Sequence, residues 1–191
     1  MALGSSSVLL EAKVISSPVL IGTNRESPLY EILVETPRIS GKSDIFYVHY
    51  TGVMLKIGEL ISIVGELRTL NVHDTKPVKG FINAYQLSHL LEEPEGSYGN
   101  SISVTNALVV SKKELYSGKE GVVQCFDISV MRSHGRRSII QCSAWHGVAG
   151  AFYNNINEGD RLNLWGSIQG SMARSGNRFI SVLTIKFEKV L

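Results

Sequence analysis

The sequence predicts an all-β chain built from two tandem copies of one small barrel, and three observations carry that prediction. The first is an internal repeat. Gly58-Glu59-Leu60-Ile61-Ser62-Ile63-Val64-Gly65-Glu66-Leu67 reads as glycine, acid, alternating apolar residues and a second glycine, and Gly159-Asp160-Arg161-Leu162-Asn163-Leu164-Trp165-Gly166-Ser167-Ile168 repeats it. An offset of about 100 residues is far longer than the periods of solenoids and propellers, so it marks a duplicated domain. The second observation is that further pairs keep the same order: Val14-Ile15-Ser16 with Val109-Val110-Ser111, Tyr30-Glu31-Ile32 with Phe126-Asp127-Ile128, Gly52-Val53 with Gly147-Val148, and Phe81-Ile82 with Phe179-Ile180. The third is apolar alternation at period two, the signature of strands with one buried face.

Along the chain, Tyr30 to Glu35 and Ile61-Ser62-Ile63 alternate in the first copy, as Gln124 to Val130 and Leu162-Asn163-Leu164 do in the second. Turn-forming clusters separate these runs: Ser40-Gly41-Lys42-Ser43, Asp74 to Gly80, Ser133-His134-Gly135 and Arg174-Ser175-Gly176-Asn177. Each copy thus offers five strands with short connections. One segment departs from the pattern, because Gly147 to Tyr153 places apolar residues at helical intervals and stops before Asn154-Asn155. Its counterpart, Gly52 to Ile57, is about five residues shorter. We assign one short helix between strands 3 and 4 of each copy. Acidic residues, Pro94 and two glycines between Leu91 and Asn100 mark a linker, dividing the chain into an N-terminal domain (1–91), a linker (92–100) and a C-terminal domain (101–191). Three strands, a helix and two strands is the order of the OB-fold, a five-stranded Greek-key barrel that binds oligonucleotides or oligosaccharides.

Composition limits the function classes. Of 191 residues, 43% are hydrophobic and 19% charged, which suits globular order. No apolar run approaches the roughly 20 residues of a membrane span. Met1 to Ser7 shows no basic region before an apolar stretch, so a cytoplasmic protein is expected. Cys125 and Cys142 lie in apolar runs without C-x-x-C spacing, as buried thiols do. Charge divides the copies: residues 1–95 hold 8 Lys and Arg against 11 Asp and Glu, and residues 96–191 hold 11 against 6. The second copy is therefore the one suited to a polyanion. Histidines 49, 73, 89, 134 and 146 show no paired metal-ligand spacing. Ser117-Gly118-Lys119-Glu120 lacks the first glycine of a phosphate-binding loop, since Lys113 stands there, and no G-x-S-x-G or G-x-G-x-x-G occurs. We expect a non-enzymatic binding protein with no cofactor and no metal.

The run Phe126-Asp127-Ile128-Ser129-Val130, then Ser143-Ala144-Trp145-His146-Gly147-Val148-Ala149 and Tyr153, then Glu158-Gly159-Asp160-Arg161-Leu162-Asn163-Leu164-Trp165-Gly166 resembles the bacterial single-stranded DNA-binding protein family. That family shows an alternating second strand, a third strand ending in an aromatic, an Ala-rich helix ending near a Tyr, then Gly-x-x-apolar-x-apolar-x-Gly. The resemblance covers most of residues 101 to 190; the first half shares Gly58 to Leu67 and little else. It implies sequence-independent single-stranded DNA binding in replication, recombination or repair. It further implies a homodimer presenting four barrels, with replication or repair proteins as partners. Family members typically end in a flexible acidic tail, whereas this sequence ends at Phe187-Glu188-Lys189-Val190-Leu191, so the tail's partners are not assumed. The alternatives are an interaction module like primosomal replication protein N with weak DNA binding, and an OB-fold binder of structured RNA or oligosaccharide.

Candidate residues follow from how an OB-fold binds: aromatic faces stack on bases and cations meet phosphates. Arg132, Arg136 and Arg137 surround one turn without an intervening acid, for phosphate contact or as a solvated turn. By parity, Ile139, Gln141, Ser143 and Trp145 share the outer face of one strand, while Ile140, Cys142 and Ala144 point inward. The resemblance assigns Trp145 to base stacking. Trp165 also faces outward, where it stacks on a base, covers a subunit interface or seals the barrel end. Gly170 to Arg178, with Arg174 and Arg178, suits a finger closing over the ligand. In the first copy Tyr50 is matched to Trp145, with Phe46 on the same face and Arg38 and Lys42 in a flanking loop. This copy binds DNA or serves domain pairing and assembly.

Overall fold

The computed structural model describes residues 3–38, 40–72, 76–94, 98–132, 135–172 and 178–190. The described residues form an all-β chain with one helix. The strands are β1 (Ser5–Val14), β2 (Val19–Asn24), β3 (Ser27–Pro37), β4 (Ser43–Thr51), β5 (Leu60–Val72), β6 (Lys76–His89), β7 (Asn100–Lys112), β8 (Tyr116–Gly118), β9 (Gly121–Met131), β10 (Arg137–Trp145), β11 (Arg161–Met172) and β12 (Arg178–Lys189). Helix α1 (His146–Asn155) lies between β10 and β11.

Alternation decides which side of each strand is buried. In β1, Val8, Leu10, Ala12 and Val14 are fully buried while Ser7, Leu9 and Lys13 face solvent, and β4 and β11 show the same pattern. The strands of residues 5–89 form a closed circuit of hydrogen-bonded pairs, β1–β3–β4–β6–β5–β1, in which only β4–β6 is parallel. Residues 100–189 repeat it as β7–β9–β10–β12–β11–β7, with β10–β12 parallel. Closure covers part of each strand edge, and the interior of each circuit is filled by side chains.

Two short strands, β2 and β8, extend the outer ends. At the centre β1 pairs antiparallel with β7, from Ser5↔Thr105 to Leu10↔Asn100, so all twelve strands form one sheet. Partner relations make Gly80 the equivalent of Ile180 and Thr69 the equivalent of Gly170. These equivalents meet across the seam between the halves. Gly80 packs so closely on Ile180 that an added Cβ would sit 2.9 Å from its backbone nitrogen. The Gly170 N–H donates to Asp44 Oδ1 at 2.7 Å, and the Thr69 N–H donates to Ser138 Oγ at 3.4 Å. The two halves therefore meet through equivalent surfaces about a local two-fold axis.

The helix expected in the first half is absent among the described residues, which corrects that expectation. The second half has ten residues in α1, uncapped by any side chain and anchored by buried Ala149 and Phe152. Phe152 stacks on Phe126 at 3.9 Å between ring centroids, a contact worth about 1 kcal/mol beyond its burial. The shorter segment after β4 runs between Gly52 (φ 115°) and Gly58 (φ 92°), too few residues to meet the cost of helix nucleation. Leu55 alone closes that end, buried with its N–H donating to Tyr50 Oη at 3.3 Å.

Gly166 lies at a bulge in β11 where an added Cβ would fall 1.9 Å from the Leu183 carbonyl oxygen, whereas Gly150 in α1 faces open space. Gly166→Ala is expected to cost about 3 kcal/mol and lower the thermal midpoint by roughly 6–12 °C. Gly150→Ala is expected to add about 0.5–1 kcal/mol. Equal melting of Gly166→Ala and the parent protein would disprove the close approach.

Candidate nucleic-acid interface

The second half carries an open outer face over β9, β10, β12 and β11. On β10 the expected parity holds for Gln141, which is exposed, and for Ser143 and Trp145, which are half-buried; Ile140, Cys142 and Ala144 point inward. Ile139 departs from it and is buried, because the first half covers it and its N–H donates to Thr69 Oγ1 at 3.0 Å. Trp145 is the last residue of β10. The chain leaves it through His146 in the left-handed region (φ 51°), a conformation costing about 1 kcal/mol or more for a residue with a Cβ. That turn sends the backbone into α1 and leaves the indole on the outer face.

Trp165 is half-buried on the outer face of β11, opposite Lys186 of β12, whose Nζ lies 4.8 Å from its ring centroid. Ala144 pairs with Thr184 on β12, so Trp145 lies in nearly the same row across the sheet as Lys186 and Trp165. Two strand spacings separate β10 from β11, about 10 Å at about 4.8 Å each. Ile185, in the same row, is 65% exposed. The row therefore alternates flat apolar surface with a cation, the composition that suits bases and phosphates.

Beside this row is a hollow of about 230 Å³ lined by Lys113, Cys125, Asp127, Gln141, Ser143 and Ser181. Burial pushes the Asp127 carboxyl above its ordinary range, and the nearby Lys113 only partly opposes that shift. Both cysteines are free, and burial raises the Cys142 thiol far above its usual value. Among the described residues no three His, Cys, Asp or Glu come together as a metal site.

The expected arginines do not form one cluster. Arg132 and Arg136 turn to the seam and share a pocket with Glu66, Arg68 and Tyr85 of the first half. Arg137 is exposed at the start of β10, and Arg178 is half-buried at the start of β12. Arg174 lies outside the described residues.

In the first half, Phe46 and Tyr50 are core residues, 0% and 2% exposed, which corrects their placement on a binding face. Strand pairing makes Tyr50 the equivalent of Ala144; Thr51, exposed, stands where the second half has Trp145. The outward residues of β4 are Ile45, Tyr47 and His49, and their surroundings are internally paired. Glu31 takes the Lys79 ammonium at 2.5 Å and His49 Nε2 at 2.6 Å, while Lys79 also sits 3.9 Å over the Tyr47 ring. Burial alone would raise the Glu31 carboxyl, but these two partners hold it below its ordinary value. Burial lowers the His49 pKa despite Glu31, so the imidazole is held toward neutrality. Arg38 is engaged by Asp44 through both carboxylate oxygens, and Lys42 is exposed in the β3–β4 turn.

The first half's open aromatic is Tyr85, 63% exposed on β6 beside Arg68. The sequence signal for it was available: Phe81, Asn83 and Tyr85 alternate against inward Ile82 and Ala84. The same alternation on β12 exposes Ile185, and the bulge there, with Thr184 paired to Gly166 and Lys186 to Trp165, carries Lys186 to the outer face as well.

No family model matches the chain, and no curated protein matches its sequence. Among solved structures it is similar to wild-type single-stranded DNA binding protein from Thermus aquaticus. That match has a TM-score of 0.74 at 19% identity and covers 100% of this chain and 95% of that chain. A deletion mutant of the same Thermus aquaticus protein matches at a TM-score of 0.73 and 19% identity, covering 100% of this chain and 97% of that one. At this identity the likeness shows the fold alone, an all-β OB-fold.

The raised Asp127 carboxyl makes a signed prediction. A folded-state pKa above the unfolded value of 3.8 favours folding with the proton on, and that contribution fades as pH climbs through the raised value. Asp127→Asn is therefore expected to raise the thermal midpoint at neutral pH and to leave it unchanged below about pH 3.8. Melting curves at both pH values check this; a variant less stable at neutral pH would overturn it.

Proposed function

We propose that this chain is a sequence-independent single-stranded DNA-binding protein acting in DNA replication, recombination or repair. In this reading it is two tandem five-stranded OB-folds, residues 1–91 and 101–191 joined by a linker at 92–100. The observation that carries the reading is the row of Trp145, Lys186 and Trp165 on the outer face of the second half. The interior of that half is filled by side chains, so a ligand of any length lies on the outside. The likeness to the Thermus aquaticus protein, named for single-stranded DNA binding, supports the same reading.

Binding begins with attraction of the phosphate backbone to Arg137, Arg174, Arg178 and Lys186. Bases then stack on Trp145 and Trp165, each worth about 1–3 kcal/mol, and Gln141 lies within the same strip to hydrogen-bond a base edge. None of these groups reads a base sequence through a fixed donor and acceptor pattern, hence the indifference to sequence. A homodimer presenting four OB-folds belongs to the reading by analogy with the resembled family. The internally paired charges of the first half and its lack of an aromatic at Thr51 favour weaker binding there.

Both tryptophans lie in the second half, so intrinsic fluorescence reports on this face. Oligo-dT is expected to quench it, with log K falling by about 0.7 per neutralised phosphate against log salt. Trp145→Ala is expected to weaken binding by roughly 5- to 150-fold, the factor matching about 1–3 kcal/mol of stacking. Unchanged emission and no binding at saturating oligo-dT would overturn the proposal, and preference for tRNA over poly-dT would turn it to structured RNA. Light scattering that gives the mass of one chain would remove the homodimer.

A further inference from the structure

We propose that the seam between the two halves is a seat for a backbone phosphodiester, formed by Arg68 from one half and Arg132 and Arg136 from the other. A strand held on the second half crosses there onto the first. This inference rests on the single-stranded DNA reading above and names a site which that reading does not require.

The seam pocket has a volume of about 470 Å³ and brings three guanidinium groups against one carboxylate, Glu66. Arg68 is paired with Glu66, and Glu66 also accepts from the Tyr85 hydroxyl, whose pKa burial and this carboxylate push up to about 12. That leaves Arg132 and Arg136 without a carboxylate of their own in the pocket. Arg132 is half-buried, and its Nε, fully enclosed, meets no acceptor among the described residues. Burial, and after it the neighbouring Arg68, lowers its pKa. Folded chains rarely leave a buried charged donor unsatisfied, because the desolvation is not returned. An anion arriving in the pocket would satisfy it.

The class of anion follows from the shape. Arg68 and Tyr85 are also walls of an adjoining hollow of about 440 Å³ that runs over the first half to Arg25 and Asn83. The two hollows adjoin at these shared residues, and neither is an enclosed cavity. Adjoining open hollows suit a chain whose phosphate has a substituent on either side, and Tyr85, 63% exposed where they meet, offers a ring for the adjacent base. Charge-assisted contacts from planar guanidinium groups match phosphate oxygens in pairs.

The test compares a short oligo-dT, about 8 nucleotides, with one of about 30, longer than one OB-fold holds. Binding is read by tryptophan fluorescence on the full chain. Arg68→Gln is expected to leave the short oligomer unaffected, to weaken the long one by about tenfold and to shrink its salt slope by about 0.7. Arg132→Met is expected to weaken the long oligomer similarly while the thermal midpoint holds or rises, since it removes an enclosed guanidinium nitrogen that meets no acceptor among the described residues. Glu66→Gln is expected to tighten the long oligomer. If Arg132→Met does not fold, Arg68→Gln decides alone.

Both oligomers binding to Arg68→Gln as to the parent chain would overturn the seat and leave the DNA reading intact. A parent chain that binds neither oligomer would overturn the DNA reading itself. Inorganic phosphate at matched ionic strength is expected to compete poorly; if it lowers long-oligomer affinity to that of Arg68→Gln, the pocket takes free phosphate and the phosphodiester assignment fails.

Discussion

The antiparallel pairing of β1 with β7 is the constraint on which the rest of the molecule depends. These are equivalent strands of the two halves, and each would otherwise present unpaired backbone groups along its exposed stretch. Pairing them satisfies both rows at once and fixes the local two-fold axis. With that axis set, β5 and β10 of one side and β11 and β4 of the other are brought together, and equivalent residues such as Gly80 and Ile180 must meet. The bond from Ser5 Oγ to Thr105 Oγ1, at 2.8 Å, and the Asp44 and Ser138 acceptors are local fittings to a geometry the strand pairing imposes. Much of the seam is consequently polar and lies close to the outer faces.

Within that frame the two halves have used their charges differently. The first half closes its acids on its bases: Arg38 with Asp44, Glu31 with His49 and Lys79, Arg68 with Glu66. Such pairs are worth little to stability at a partly exposed surface. Their larger effect is to remove cations from the outer face of β4. The second half does the opposite. Among the described residues Lys186 lies over an indole and pairs with exposed Glu188, and Arg137 is exposed. The two halves share one circuit of strand pairs, and their outward residues give one an open face and the other a self-paired one.

Sequence alternation predicted the all-β class, the repeat and the outward position of Trp145, because a period of two is imposed by the pleat and survives in the residue types. It failed at Tyr50 for a countable reason. Matching Gly52-Val53 to Gly147-Val148 carried Tyr50 onto Trp145, whereas strand pairing places it on Ala144, one residue away. A one-residue slip reverses the face of every side chain, so Phe46 and Tyr50 moved from the core to the surface. The matches of Ile32 with Ile128 and Ile82 with Ile180 were off by two, Phe126 and Val182 being the partners by pairing, and did no harm because parity was kept. The source of the slip is the segment after β4, where a loop closed by Leu55 replaces α1. The seam was illegible for another reason: Arg68 and Arg132 are 64 positions apart, and no local pattern announces that two halves will face each other through them.

Net charge by halves is also too coarse a measure of where a polyanion can bind. Screening at physiological salt limits interactions between exposed charges to about 8 Å, less than the width of either half. Acids such as Glu92 and Glu93, beyond β6, contribute to the negative total of the first half but weigh little on a ligand beyond that range. What counts is the local ratio, and at the seam it is three guanidinium groups to one carboxylate although one of the three belongs to the acidic half. The low-dielectric walls around Arg132, whose Nε meets no acceptor among the described residues, also strengthen its pull on any anion that reaches the pocket. The acidic first half is thus no obstacle to a strand crossing from the basic one, provided the path keeps to the hollows that Arg68 and Tyr85 line.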